Sequence, residues 1–146
     1  MFIGIAGIIG AGKSTLSQQL ANHLQYEAYN EPVDDNPYLE DFYADMKRWG
    51  AMMQIHLLFR RFEQHQQIVW NKGKGAVQDR TIYEDTIFAR MLYEADFINQ
   101  RDYDTYLGHF NVMKRYVVYP DVLIYLRVSP EISMQRIQKR GRGAEK

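Results

Sequence analysis

The chain has 146 residues, 46% hydrophobic and 25% charged, with 18 lysines and arginines against 18 aspartates and glutamates. That composition reads as one globular domain over 1–146, and a formal net charge of zero argues against a bulk binder of polymeric nucleic acid or of an anionic membrane. The absence of cysteine excludes disulfides, thiolate catalysis and cysteine-based metal sites, and it suits a soluble cytoplasmic protein.

The first run, FIGIAG at 2–7, is short, apolar and closed by glycine, the pattern of a buried parallel strand. Glycines interrupt the apolar stretch that follows and no basic region precedes it, so it is not read as a signal peptide. Leu16, Leu20 and Leu24 recur every four residues and predict a helix over 13–24. YEAYN at 26–30 is a second short strand, ended by Glu31-Pro32. A turn-rich segment becomes helical from about Pro37, with Asn36 as its cap. A long helix runs from Trp49 to about Trp70 and stops at NKGKG.

GAVQDR at 75–80 is a strand that turns polar at its end, and helices are expected over 83–98 and 102–118. DVLIYLRV at 121–128 reads as a buried strand. The last helix, 129–140, has Ser129 as N-cap and Pro130 at its first position. Strands alternating with helices predict a parallel sheet with helices on both faces, four strands being visible. GRGAEK makes an abrupt ending for a packed domain, so the chain is expected to be truncated in a segment that begins near 136.

Residues 7–15, GIIGAGKST, fit G-x-x-x-x-G-K-[ST] between a strand and a helix. Such a loop turns backbone N–H groups and a helix N-terminus toward phosphates. Gly7, Ile8, Ile9, Gly10, Ala11, Gly12, Lys13, Ser14 and Thr15 are therefore expected to cradle ATP, with Lys13 on the β- and γ-phosphates and the Ser14 hydroxyl on Mg2+. No guanine-reading Asn-Lys-x-Asp stretch is present, which argues against a switch GTPase.

Glu31 and Asp79 stand at strand ends, where open parallel sheets present their ligand crevice. Glu31 is placed to take a proton from an attacking hydroxyl, Asp79 to hold magnesium, and Arg80 to clamp the transferring phosphoryl. Gln54 and Arg61 are seven residues apart, nearly two turns, and point the same way about 10 Å apart. On an apolar face both need partners, and a glutamine amide suits a nucleobase edge; each alone is equally well read as part of a solvated face. Asp85 alone is best read as complementing a helix dipole. Arg136, Arg140 and Arg142 look like a mobile cationic lid over phosphates, against the plainer reading of a cationic helix terminus.

Together GIIGAGKST, NEPVDDNPY, FYADMKRW with Gln54 and Arg61, QDRTIYED, DVLIYLRV and RIQKRGRGAE resemble the deoxyribonucleoside kinase family, nearest its bacterial deoxyadenosine and deoxycytidine kinases. The resemblance covers essentially the whole chain. It implies a P-loop kinase fold with a closing fifth strand that is missing here, and usually a homodimer. It implies Glu31 as general base for the 5′-hydroxyl, with Arg80 and Lys13 completing the catalytic set. Gln54 then reads the base, with Arg61 and Asp85 completing its recognition. Tyr43 and Glu145 hold the sugar 3′-hydroxyl, and Trp49, Phe42 and Phe88 wall the base pocket. The expected reaction moves the γ-phosphoryl of ATP to the 5′-hydroxyl of a deoxyribonucleoside, deoxyadenosine first and deoxycytidine second. A deoxyguanosine kinase, a thymidylate-type monophosphate kinase and a non-catalytic nucleotide-binding module are the alternatives. His23, His56, His65 and His109 match no catalytic position and no metal spacing.

Overall fold

The computed structural model describes residues 1–33, 35–71 and 73–141. The chain divides into two compact units, one made of Met1–Glu31, Trp70–Thr81 and Tyr119–Lys146, the other of Pro32–Val69 and Ile82–Val118.

The first unit is built on a four-stranded parallel sheet: β1 (Phe2–Gly7), β2 (Glu27–Tyr29), β3 (Ala76–Asp79) and β4 (Val122–Leu126) in the order β2-β3-β1-β4. With its flanking helices this is the fold class read from the sequence. All six residues of β1 are buried, as a central strand requires. Helix α1 (Lys13–Leu24) lays Leu16, Leu20 and Ala21 on Ile3, Ile5 and Val77, and Ile124 and Leu126 of β4 join the same cluster.

β4 corrects the expectation of a fully buried strand. Its alternate residues Leu123 and Tyr125 are 59% and 64% exposed. It is the outer strand of the sheet, and among the described residues nothing covers that face. Helix α6 (Pro130–Arg140) follows, with the Ser129 hydroxyl accepting from the Ile132 N–H as the sequence predicts.

The second unit is helical: α2 (Leu39–Ala44), α3 (Met46–Trp70), α4 (Ile82–Glu94), α5 (Gln100–Met113) and a 3-10 turn, Lys114–Tyr116. Its core joins Leu58 of α3, Ile82 and Ala89 of α4 and Tyr106 of α5. Asn36 does not cap a helix starting at Pro37. Its Oδ1 accepts from the Tyr38 N–H two residues on, a turn of its own, and α2 begins at Leu39. The Asp45 carboxylate accepts from the Arg48 N–H and starts α3 three residues before the expected Trp49. Helix α4 ends at Glu94, short of 98, because the Phe97 and Ile98 N–H groups turn back onto the Leu92 carbonyl. The Asn99 side chain then accepts from the Asp102 N–H and opens α5 two residues before 102. Among the described residues no helix is long and apolar enough to cross a membrane.

Candidate active site

In the first unit the strand registers place the functional groups. Parallel pairing sets Ile5 beside Asp79 and Tyr29 beside Gln78, so β1, β2 and β3 end on one side of the sheet. The loop from Gly7 to Gly12 leaves β1 there, Arg80 follows β3, and Glu31 lies two residues past β2. A Cβ on Gly7 would stand 2.7 Å from the Leu126 carbonyl oxygen, so only glycine lets the loop leave β1 at this point.

Lys13 is buried and its Nζ donates to the Ile8 carbonyl at 2.9 Å. The Ser14 hydroxyl donates to Asp79 Oδ2 at 2.5 Å. Thr15 stands exposed in the first turn of α1. One hydroxyl beside one carboxylate is a hard oxygen donor set that fits Mg2+, which commonly takes one or two protein oxygens and completes its shell with phosphates and water. Among the described residues no cluster of three or more histidine, cysteine, aspartate or glutamate side chains forms a self-sufficient metal cage.

Arg80 is 3% exposed, and its Nε lies 2.9 Å from Glu31 Oε1. Its backbone is left-handed, φ 66°, an uncommon conformation for a residue with a side chain, and its N–H donates to the Ile5 carbonyl. The chain turns sharply after β3 and returns the guanidinium to the carboxylate at the end of β2. On α6, Arg136 Nη1 donates to the Gly10 carbonyl at 3.1 Å, and Arg140 is exposed one turn on. Arg142 and Glu145 lie outside the described residues.

The second unit holds the residues expected to read a base. Gln54 and Arg61 are 4% and 1% exposed on one face of α3, which rules out a solvated face. Arg61 Nε meets Asp85 Oδ2 at 3.3 Å and its Nη1 meets Gln64 Oε1 at 3.4 Å. Asp85 is thus a buried ion-pair partner as well as a first-turn acid of α4. Gln54 Oε1 is buried with no hydrogen-bond partner among the described residues. A buried amide oxygen left unpaired is costly for a fold.

Tyr43 is half-buried on α2, edge-on to the buried Phe42 at 5.1 Å. Trp49 is half-buried against Tyr38 and carries Arg48 over its ring, and Phe88 is half-buried on α4.

Three residues have a place in the structure to which no sequence motif assigned a role. Ser133 donates to the Ile9 carbonyl at 2.5 Å. Its only sequence signal is its place one turn before Arg136. His65 is fully buried, one turn after Arg61, with Nε2 accepting from the Ile82 N–H at 3.3 Å. Burial, and then the Arg61 charge, lower its pKa to about 4, so its ring is neutral. The Tyr106 hydroxyl is buried without a partner among the described residues; burial, then the charge of Asp85, hold the phenol well above its usual range.

A family model described as deoxynucleoside kinase matches residues 3–146. The chain is 50% identical over 144 residues to a deoxyadenosine kinase of Dictyostelium discoideum, covering 99% of this chain and 58% of that protein. It is 47% identical over 146 residues to a deoxyadenosine/deoxycytidine kinase of Bacillus subtilis, of which it spans 67%. A solved structure of the M. mycoides deoxyadenosine kinase, with dCMP and a flexible dCDP bound, superposes with a TM-score of 0.89 at 41% identity, covering 99% of this chain and 73% of that one.

Proposed function

The chain belongs to the deoxynucleoside kinase family, and from that premise we propose that the protein transfers the γ-phosphoryl of ATP to the 5′-hydroxyl of a deoxyribonucleoside. The observation that carries this reading is the Glu31–Arg80 pair beside the strand ends, where Asp79 accepts from Ser14 of α1. Glu31 accepts the hydroxyl proton as the 5′-oxygen bonds to the γ-phosphorus and the bond from that phosphorus to the bridging oxygen of ADP breaks. Arg80 holds the Glu31 carboxylate in place and offsets charge on the transferring group, and Lys13 does the same at the β- and γ-oxygens. Ser14 and Asp79 would hold Mg2+, which when bound neutralises charge on the phosphate oxygens. Arg136, Arg140 and Arg142 add cationic contacts to the donor phosphates. Positioning and neutralisation do most of the work, as phosphoryl transfer requires.

Base reading falls to Gln54, Arg61 and Asp85, with Tyr43 and Glu145 assigned to the sugar 3′-hydroxyl. An amide paired with a carboxylate favours a base with an amino group beside a ring acceptor, which adenine and cytosine both present. Thymine, with a ring N–H between two carbonyls, fits poorly. The Dictyostelium and Bacillus relatives are named for deoxyadenosine, and the latter for deoxycytidine too, which supports adenine first and cytosine second. A homodimer accords with the exposed apolar residues Met52 and Phe59 on α3 and Ile87 and Met91 on α4. A cytoplasmic location goes with this small-molecule chemistry.

The test is ADP release with ATP and Mg2+ across the four deoxynucleosides and their monophosphates. Turnover is expected with deoxyadenosine and more weakly with deoxycytidine. Turnover of a monophosphate alone, or nucleotide binding without any nucleoside-dependent ADP release, overturns the proposal.

A further inference from the structure

Three consecutive carbonyls of the phosphate loop each receive a side-chain donor. Lys13 Nζ binds Ile8 O at 2.9 Å, the Ser133 hydroxyl binds Ile9 O at 2.5 Å, and Arg136 Nη1 binds Gly10 O at 3.1 Å. Lys13 belongs to the loop's own motif. The other two come from α6, more than 120 residues along the chain. The contact is close: a Cβ on Gly10 would stand 2.9 Å from the Ser133 carbonyl oxygen and 3.5 Å from Arg136 Cβ. Gly10 also has φ +76°, so glycine is required there twice over.

A trans peptide is planar, and its N–H points opposite to its C=O. Pinning Ile9 O onto α6 therefore turns the Gly10 N–H away from α6. Among the described residues that N–H has no hydrogen-bond partner, whereas the Ala11 N–H is spent on Ile8 O. The two α6 donors are not equivalent. Arg136 is exposed and long, and it can exchange a carbonyl for a phosphate by rotating its side chain. Ser133 is 6% exposed and short, so rotation of its side chain has no such reach.

We propose that Ser133 is a positioning residue for the donor nucleotide, latching the Ile9 carbonyl to α6 so that the Gly10 N–H stays aimed at the phosphates. The proposal rests on the nucleotide reading of the loop. It separates Ser133 from the arginines of its helix: they supply charge to the phosphates, and it supplies loop geometry.

Calorimetric titration of the protein with Mg·ATP and, separately, with deoxyadenosine tests this on Ser133→Cys and Ser133→Ala, alongside thermal melting. Cysteine keeps the size and weakens the donor; alanine removes it. Affinity for ATP is expected to fall in the order Ser, Cys, Ala, by about three- to tenfold for alanine. Deoxyadenosine affinity should stay flat. ATP affinity that ignores the series, or a fall in both ligands together, overturns the latch while leaving the nucleotide reading intact. If the unaltered protein binds no nucleotide, both fall. Should alanine unfold the protein, the cysteine variant alone decides, by the same selective loss or its absence.

Discussion

Arg61 and Asp85 meet at 3.3 Å with side chains 1% and 5% exposed, a salt bridge closed off from water. Such a pair adds little net stability over an apolar pair of equal volume, but half of it alone is severely destabilising. Asp85→Ala is expected to cost about 3–5 kcal/mol in urea unfolding, because it strands a buried guanidinium. The double change Arg61→Met with Asp85→Leu should recover much of that loss without recovering deoxynucleoside binding. A double variant that regains base selectivity along with stability would show that the pair only holds the fold.

Gln54 makes the opposite forecast. Its Oε1 is buried with no hydrogen-bond partner among the described residues, so the fold gains no hydrogen bond there. Gln54→Leu, of similar size, should leave the unfolding free energy unchanged or raised, within about 1 kcal/mol. The same change should raise KM for deoxyadenosine by about tenfold or more, since the base then loses its reader. A variant that loses stability with KM unchanged would make Gln54 a structural residue.

How far the sequence discloses this molecule depends on the distance between partners. The phosphate loop is local: nine consecutive residues, a strand before and a helix after, and all of it is where the spacing put it. Gln54 and Arg61 share a buried face because 3.6-residue periodicity fixes faces within one helix. That Arg61 meets Asp85, 24 residues on and in another helix, follows from no spacing; only the family resemblance pointed to it. Ser133 and Ile9 are 124 residues apart, and neither residue type signals the other. The exposed face of β4 was missed for a related reason. An apolar run records what a strand is made of, and whether it is central or outermost is a property of the whole sheet. At Asn36 the error is local: asparagine makes turns as readily as caps, and here it makes a turn.

Glu31→Gln tests the proposed base. Glutamine keeps an oxygen beside Arg80 but has no carboxylate to take a proton. kcat is expected to fall by about 10²–10⁴-fold, with ATP affinity and thermal melting nearly unchanged. Single-turnover kinetics read the chemical step directly. A fall of less than threefold there would leave Glu31 as a mere anchor for Arg80.

His65 predicts an acid limb to stability. It is buried and neutral, accepts from the Ile82 N–H, and has its pKa lowered to about 4, first by burial and then by the charge of Arg61. Unfolded, the same imidazole titrates near 6.5. Between those values the unfolded chain binds the extra proton, so stability rises with pH. The contribution is complete above pH about 6.5 and is lost as pH falls toward 4, amounting to about 3 kcal/mol in all. Urea unfolding at pH 7, 5.5 and 4.5 measures it against His65→Gln, whose amide oxygen still accepts from Ile82 but carries no titrating group. The unaltered protein should lose stability more steeply than the variant over that window. Parallel slopes would mean that His65 takes its proton in the folded state as easily as in the unfolded one.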